Sequence, residues 1–147
     1  MVNLSNSEKL ILLYLYVREK PITAGHLFEV LTGEYGFSRT RQSFHSMIKK
    51  LKKSEFISWE RYRTVELTEN GKEHALHYNW HMHLLEKYFH ETLDLPEDLI
   101  RKETLQLTPI VSCGFINALK DKFVCESNCR LQEAMKTEKI CYNEERL

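Results

Sequence analysis

The sequence predicts a mainly α protein of α+β class, an N-terminal winged helix-turn-helix followed by a helical dimerisation domain. Three observations carry this. The stretch from Ser38 to Thr68 combines a basic amphipathic helix with a hairpin. Two shorter helical segments precede it in winged-helix order. A long helical half follows it.

The central stretch holds eight Lys/Arg (Arg39, Arg41, Lys49, Lys50, Lys52, Lys53, Arg61, Arg63) against three acids (Glu55, Glu60, Glu66). That is +5 in a chain whose 21 basic and 21 acidic residues cancel, so the remainder is −5. A local positive field on a neutral protein points to a polyanionic partner. Phe44, Met47, Ile48 and Leu51 recur at i, i+3, i+4 and i+7, one face of a helix. Arg39, Gln42, Ser46, Lys49 and Lys53 fall opposite them, and Ser38 is placed to cap the helix. The segments EFISW and TVELT are short, β-branched and aromatic, and the turn ERYR between them makes a hairpin. In a winged helix such a helix enters the major groove, and the hairpin tip meets phosphates or the minor groove.

Upstream, Ser5, Asn6, Ser7 and Glu8 have the S-x-x-E form of a capping box. A helix follows through LILLYLYVRE, apolar nearly all round, and Lys20-Pro21 ends it. Thr23 caps a short helix, AGHLFEVL, which Gly33 terminates in a left-handed conformation. Downstream, Thr68 caps a helix from Glu69 to about Thr92 whose apolar face is Ala75, Tyr78, Met82, Leu85 and Phe89. Leu95-Pro96-Glu97 opens another helix, and Thr108-Pro109 opens a third, PIVSCGFINALKDKF. The domain boundaries follow: a winged-helix DNA-binding domain over 1–70, a helical dimerisation domain over 71–123, and a cysteine-bearing tail over 124–147.

The longest apolar run, Leu10 to Val17, is too short to span a bilayer, and the N-terminus does not read as a signal peptide. The expectation is a cytoplasmic protein with reduced cysteines and no membrane partner. No Ser/His/Asp order, phosphate loop or apolar carboxylate pair is present, which speaks against an enzyme. Two constellations bear on a cofactor. His74, His77 and His81 lie at i, i+3 and i+7 on the long helix, which also carries His83 and His90. Cys113, Cys125, Cys129 and Cys141 are spaced C-x11-C-x3-C-x11-C. Thiolate sets bind a transition metal or an iron–sulfur cluster, while a single buried cysteine among apolar residues is ordinary packing. The sequence leaves these alternatives open.

The passage Val65-Glu-Leu-Thr-Glu-Asn-Gly71, the stretch His83-Leu-Leu-Glu-Lys-Tyr-Phe89 and the following PEDLIRKE helix resemble metal-dependent transcriptional repressors of the diphtheria toxin repressor and manganese transport regulator type. The resemblance covers roughly Ser7 to Phe123. It implies a homodimeric repressor with an N-terminal winged helix. It also implies where a metal site would fall. Glu8 matches the family's first acidic position, and Ile11 stands where the manganese-type proteins have an acid. Met82 takes the histidine position, with His81 and His83 either side. Glu86 is retained, and the family's Glu-His pair falls at Thr108-Pro109. The implied site is therefore a degenerate one.

The sequence thus reads as a homodimeric, sequence-specific regulator that binds double-stranded DNA, with control by a metal, a cluster or a redox signal. Arg39, Arg41, Gln42, Ser46 and Lys49 face the groove, and Lys52, Lys53, Arg61 and Arg63 hold phosphates. The alternative is a winged-helix module that binds another protein and no DNA.

Overall fold

The computed structural model describes residues 3–122; Cys125, Cys129 and Cys141 lie outside them. The elements in order are α1 (Asn6–Arg18), β1 (Ile22–Thr23), α2 (Ala24–Glu34), α3 (Arg41–Lys53), β2 (Ile57–Ser58), β3 (Thr64–Leu67), α4 (Glu69–Thr92), α5 (Glu97–Leu107) and α6 (Cys113–Lys122). They form two compact units, Met1–Ala75 and Leu76–Leu147, so that the division falls inside α4. No described helix is long and apolar enough to cross a membrane.

In the first unit, Ser5 caps α1 by accepting from the Glu8 backbone N–H at 3.2 Å. Leu10 through Leu15 are all buried, whichever side of the helix they occupy. Burying one such side chain contributes about 1.5–3 kcal/mol, against about 0–1 kcal/mol for an exposed ion pair. Apolar burial therefore fixes α1. The helix ends at Arg18, with Glu19 in the left-handed region (φ 61°) just before Pro21.

Thr23 caps α2 by accepting from His26 N–H at 3.3 Å. The helix passes through Gly33 to Glu34, and the left-handed residue is Gly36 (φ 65°), three positions later than expected. Glycine is needed there because the chain must reverse to bury Phe37. Phe37 joins Phe28 and Phe44 in an aromatic cluster with ring centroids 5.3–6.4 Å apart, which ties α2 to α3. Anchoring Phe37 keeps the chain non-helical as far as Thr40. The α3 cap is consequently Thr40, which accepts from Ser43 N–H at 3.1 Å, and not Ser38.

The hairpin pairs β2 and β3 antiparallel, Ile57 opposite Leu67 and Ser58 opposite Glu66. A third strand, β1, pairs with the other edge of β3, Ile22 opposite Val65, giving the order β1-β3-β2. Two residues leave no periodicity, so β1 has no signature in sequence. At the passage into α4, the Thr68 N–H donates to the Phe56 carbonyl at 3.1 Å. The Thr68 hydroxyl donates to the Glu55 carbonyl and accepts from Gly71 N–H.

In the second unit, Trp80, Leu84 and Leu85 of α4 pack with Cys113, Ile116 and Leu119 of α6. α5 begins after Pro96, whose carbonyl accepts from Ile100 N–H at 3.1 Å. α6 begins at Cys113, four residues later than Pro109. The intervening residues close α5 instead, Ile110 and Val111 both donating to the Leu107 carbonyl. Ser112 then supplies the new N-terminus, its hydroxyl accepting from Phe115 N–H at 3.3 Å.

Gly71 sits so close to the hairpin that a Cβ there would lie 1.9 Å from the Phe56 carbonyl oxygen, whereas a Cβ on Gly33 would meet nothing within 4 Å. Gly71→Ala should cost roughly 1–3 kcal/mol or more. Gly33→Ala should be neutral or stabilise by up to about 1 kcal/mol. Urea denaturation of the two variants checks the contrast.

Candidate nucleic-acid interface and a buried histidine–cysteine cluster

Helix α3 buries Phe44, Ile48 and Leu51 completely. At 3.6 residues per turn, that places Gln42, Ser46, Lys49 and Lys53 in one stripe on the opposite face, and all four are exposed. Arg39, Arg41, Lys52, Arg61 and Arg63 are exposed as well, so every side chain assigned to DNA from the sequence reaches solvent. They do not form one row. Arg39 precedes the helix. The Arg41 guanidinium lies over the Phe28 ring, 4.8 Å from its centroid. Lys52 lines a groove with Ser58, Trp59, Glu60 and Asn70.

The first turn of α3 has no acid; Arg41 opens it and Arg39 precedes its cap. Free N–H groups, the positive end of the helix dipole and two guanidinium groups there favour an anion. At the hairpin tip, Arg63 N–H donates to the Glu60 carbonyl, and Tyr62 is left-handed (φ 66°) and 88% exposed. The Arg61 guanidinium lies 5.2 Å from the Tyr62 ring centroid. Tyr62 is a candidate contact that the sequence reading missed. Its signal was an aromatic residue between two arginines in a turn.

Lys50 differs from its neighbours. Its Nζ donates to both Glu8 carboxylate oxygens, at 2.9 and 3.2 Å. The Glu8 side chain is 5% exposed. The pair joins α1 to α3 and engages one half-exposed lysine of the basic helix in an ion pair.

The second unit contains a cluster that the sequence held in two separate sets. His77 and His81 lie one turn apart on α4, with ring centroids 4.3 Å apart, and both are buried. The Cys113 sulfur at the start of α6 is 3.9 Å from Nε2 of each. The three donor atoms lie within 4.8 Å of one another. His74, the third histidine of the sequence stripe, instead lies edge-on to Phe56, centroids 4.7 Å apart, in the first unit.

The positions implied by the family resemblance do not fit a hard divalent cation, which needs several oxygen or nitrogen donors. Glu8 is held by Lys50. Met82 is buried and offers only a thioether. The Thr108 hydroxyl donates to the Thr104 carbonyl at 2.6 Å, and Pro109 has no donor side chain. His81 turns to Cys113, while His83 and Glu86 are half-buried. Burial pushes the Glu86 carboxyl up, against the opposing pull of Arg101 and Thr104. Burial, and then the charge of Lys87, hold His83 below its ordinary pKa.

No family model and no curated protein matches the chain. Solved structures do. IdeR of T. acidophilum superposes with a TM-score of 0.61 at 16% identity, over 84% of this chain and 55% of that one. The manganese regulator SloR superposes with a TM-score of 0.56 at 21% identity, over 82% and 54%. A winged helix followed by a helical unit is thus the fold this chain shares with regulators of the type its sequence resembles. It spans about half the length of either neighbour.

A histidine whose folded pKa is depressed binds fewer protons folded than unfolded, so its share of stability is lost as pH falls below the unfolded value of about 6.5. His83→Gln should therefore flatten the loss of thermal stability between about pH 7.5 and about pH 5. Parallel melts of both proteins across that range measure it.

Proposed function

We propose that this protein is a sequence-specific DNA-binding transcriptional regulator that acts as a homodimer in the cytoplasm. The observation that carries the reading is the exposed Gln42, Ser46, Lys49 and Lys53 stripe opposite the buried face of α3, beside an arginine-tipped hairpin. Gln42 has the amide that pairs with adenine, and Arg39 and Arg41 suit guanine or the phosphate beside it. Lys49 and Lys53 extend the stripe, while Lys52, Arg61 and Arg63 contact phosphate and set register. Tyr62 adds a hydroxyl at the tip. The two regulators that share the fold support the same reading.

Dimerisation belongs to the second unit in this account. Leu93, Leu95, Leu99, Ile110 and Phe115 are exposed there and supply the apolar side chains such an interface would bury. A two-fold dimer would present two α3 helices to major grooves about 34–36 Å apart.

Arg61→Ala with Arg63→Ala should weaken binding to all duplexes and lower the slope of log affinity against log salt by about 2. Gln42→Ala should cost about 1–3 kcal/mol on the preferred site and little elsewhere. Fluorescence anisotropy on specific and scrambled duplexes separates the two. A change in sequence preference with an unchanged slope for the arginine pair would remove the hairpin from the phosphate-contacting role. For the dimer, Ile110→Glu with Phe115→Glu should give a monomer by light scattering with unchanged helix content.

A further inference from the structure

We infer that His77, His81 and Cys113 form a buried site for one thiophilic metal ion, and that copper(I) is the ion whose charge and coordination number it fits. Histidines at i and i+4 on one helical face are spaced to share an ion. Here α4 supplies that pair, and α6 brings a thiol 3.9 Å from both Nε2 atoms. With metal–sulfur and metal–nitrogen bonds of about 2.3 and 2.0 Å, a 3.9 Å separation corresponds to an S–M–N angle of about 130°. Both nitrogens can therefore share one ion with the sulfur.

Charge separates the candidates. His77, His81 and Cys113 are 5%, 3% and 6% exposed. Two neutral imidazoles and one thiolate carry −1, so copper(I) makes a neutral site, whereas zinc(II) leaves +1 where burial penalises charge. Three donors, one of them a thiolate, suit a soft monovalent ion. On binding, the Cys113 thiol proton goes to solvent as the sulfur–metal bond forms, so affinity should rise with pH. Of the positions given by the family resemblance, the cluster uses only His81, and it requires neither Glu8 nor Glu86.

The test uses the full chain, titrated anaerobically with copper(I) against a colorimetric copper(I) chelator and, in parallel, with zinc(II). Variants are Cys113→Ser, His77→Gln, and a triple serine variant at Cys125, Cys129 and Cys141. The expected result is one equivalent of copper(I), held in preference to zinc(II) by the parent and by the triple variant. Cys113→Ser and His77→Gln should weaken it on the order of 100-fold or more. The copper(I) complex should show a thiolate-to-copper charge-transfer absorption in the ultraviolet that Cys113→Ser abolishes, and circular dichroism checks that this near-isosteric variant is folded. Copper binding that survives Cys113→Ser but vanishes in the triple variant, or no stoichiometric binding of any of these ions, overturns the site. One equivalent of zinc(II) held in preference to copper(I), through the same residues, overturns the charge argument.

Discussion

Helix α3 has one orientation that buries Phe44, Ile48 and Leu51, and much of the first unit follows from it. Rotating the helix by a single residue, 100°, would expose Phe44 and bury Lys49 and Lys52 or, turned the other way, Lys50, a loss of several kcal/mol that no surface charge could offset. The same three side chains therefore hold the core together and aim the polar stripe outward. The aromatic cluster of Phe28, Phe37 and Phe44 sets where α3 begins, and with it the position of Arg39 and Arg41 at the first turn. Thr68 and Gly71 then bring the start of α4 against the Phe56 carbonyl and fix the hairpin beside the helix.

The Glu8–Lys50 pair ties α1 to α3 within the first unit. Lys50 holds the Glu8 carboxylate at 2.9 Å, the carboxylate buried and the lysine half-exposed. A buried carboxylate deprived of its cation is strongly destabilising, so Lys50 holds α3 against α1 through Glu8. The donors that do converge here are softer and lie in the second unit, where two imidazoles and a thiol meet.

Most of the first unit was legible in the sequence because its signals are local. Ser5, Thr23 and Thr68 cap their helices as side-chain chemistry dictates, and the β-branched and aromatic segments EFISW and TVELT pair as a hairpin. What failed depended on distant packing. Gly36 rather than Gly33 takes the left-handed turn, and Thr40 rather than Ser38 the cap, because Phe37 must reach Phe28 and Phe44. The start of α6 moved to Cys113 because residues 108–111 complete α5. The histidine–cysteine cluster was half visible. The i, i+4 histidines stood on one predicted face, but no spacing joins them to a cysteine 32 residues further on. The C-x11-C-x3-C-x11-C spacing instead groups Cys113 with three cysteines that lie outside the described residues.

The central claim, that the α3 stripe and hairpin tip form a DNA-binding surface, is tested most directly by the affinity of the full chain for duplex DNA over a range of salt concentrations. The account predicts a log–log slope of about −4 or steeper, as five or more lysines and arginines displace counterions from phosphate. Absent or weak binding that does not respond to salt would contradict it, and would turn the same surface into a contact for another protein.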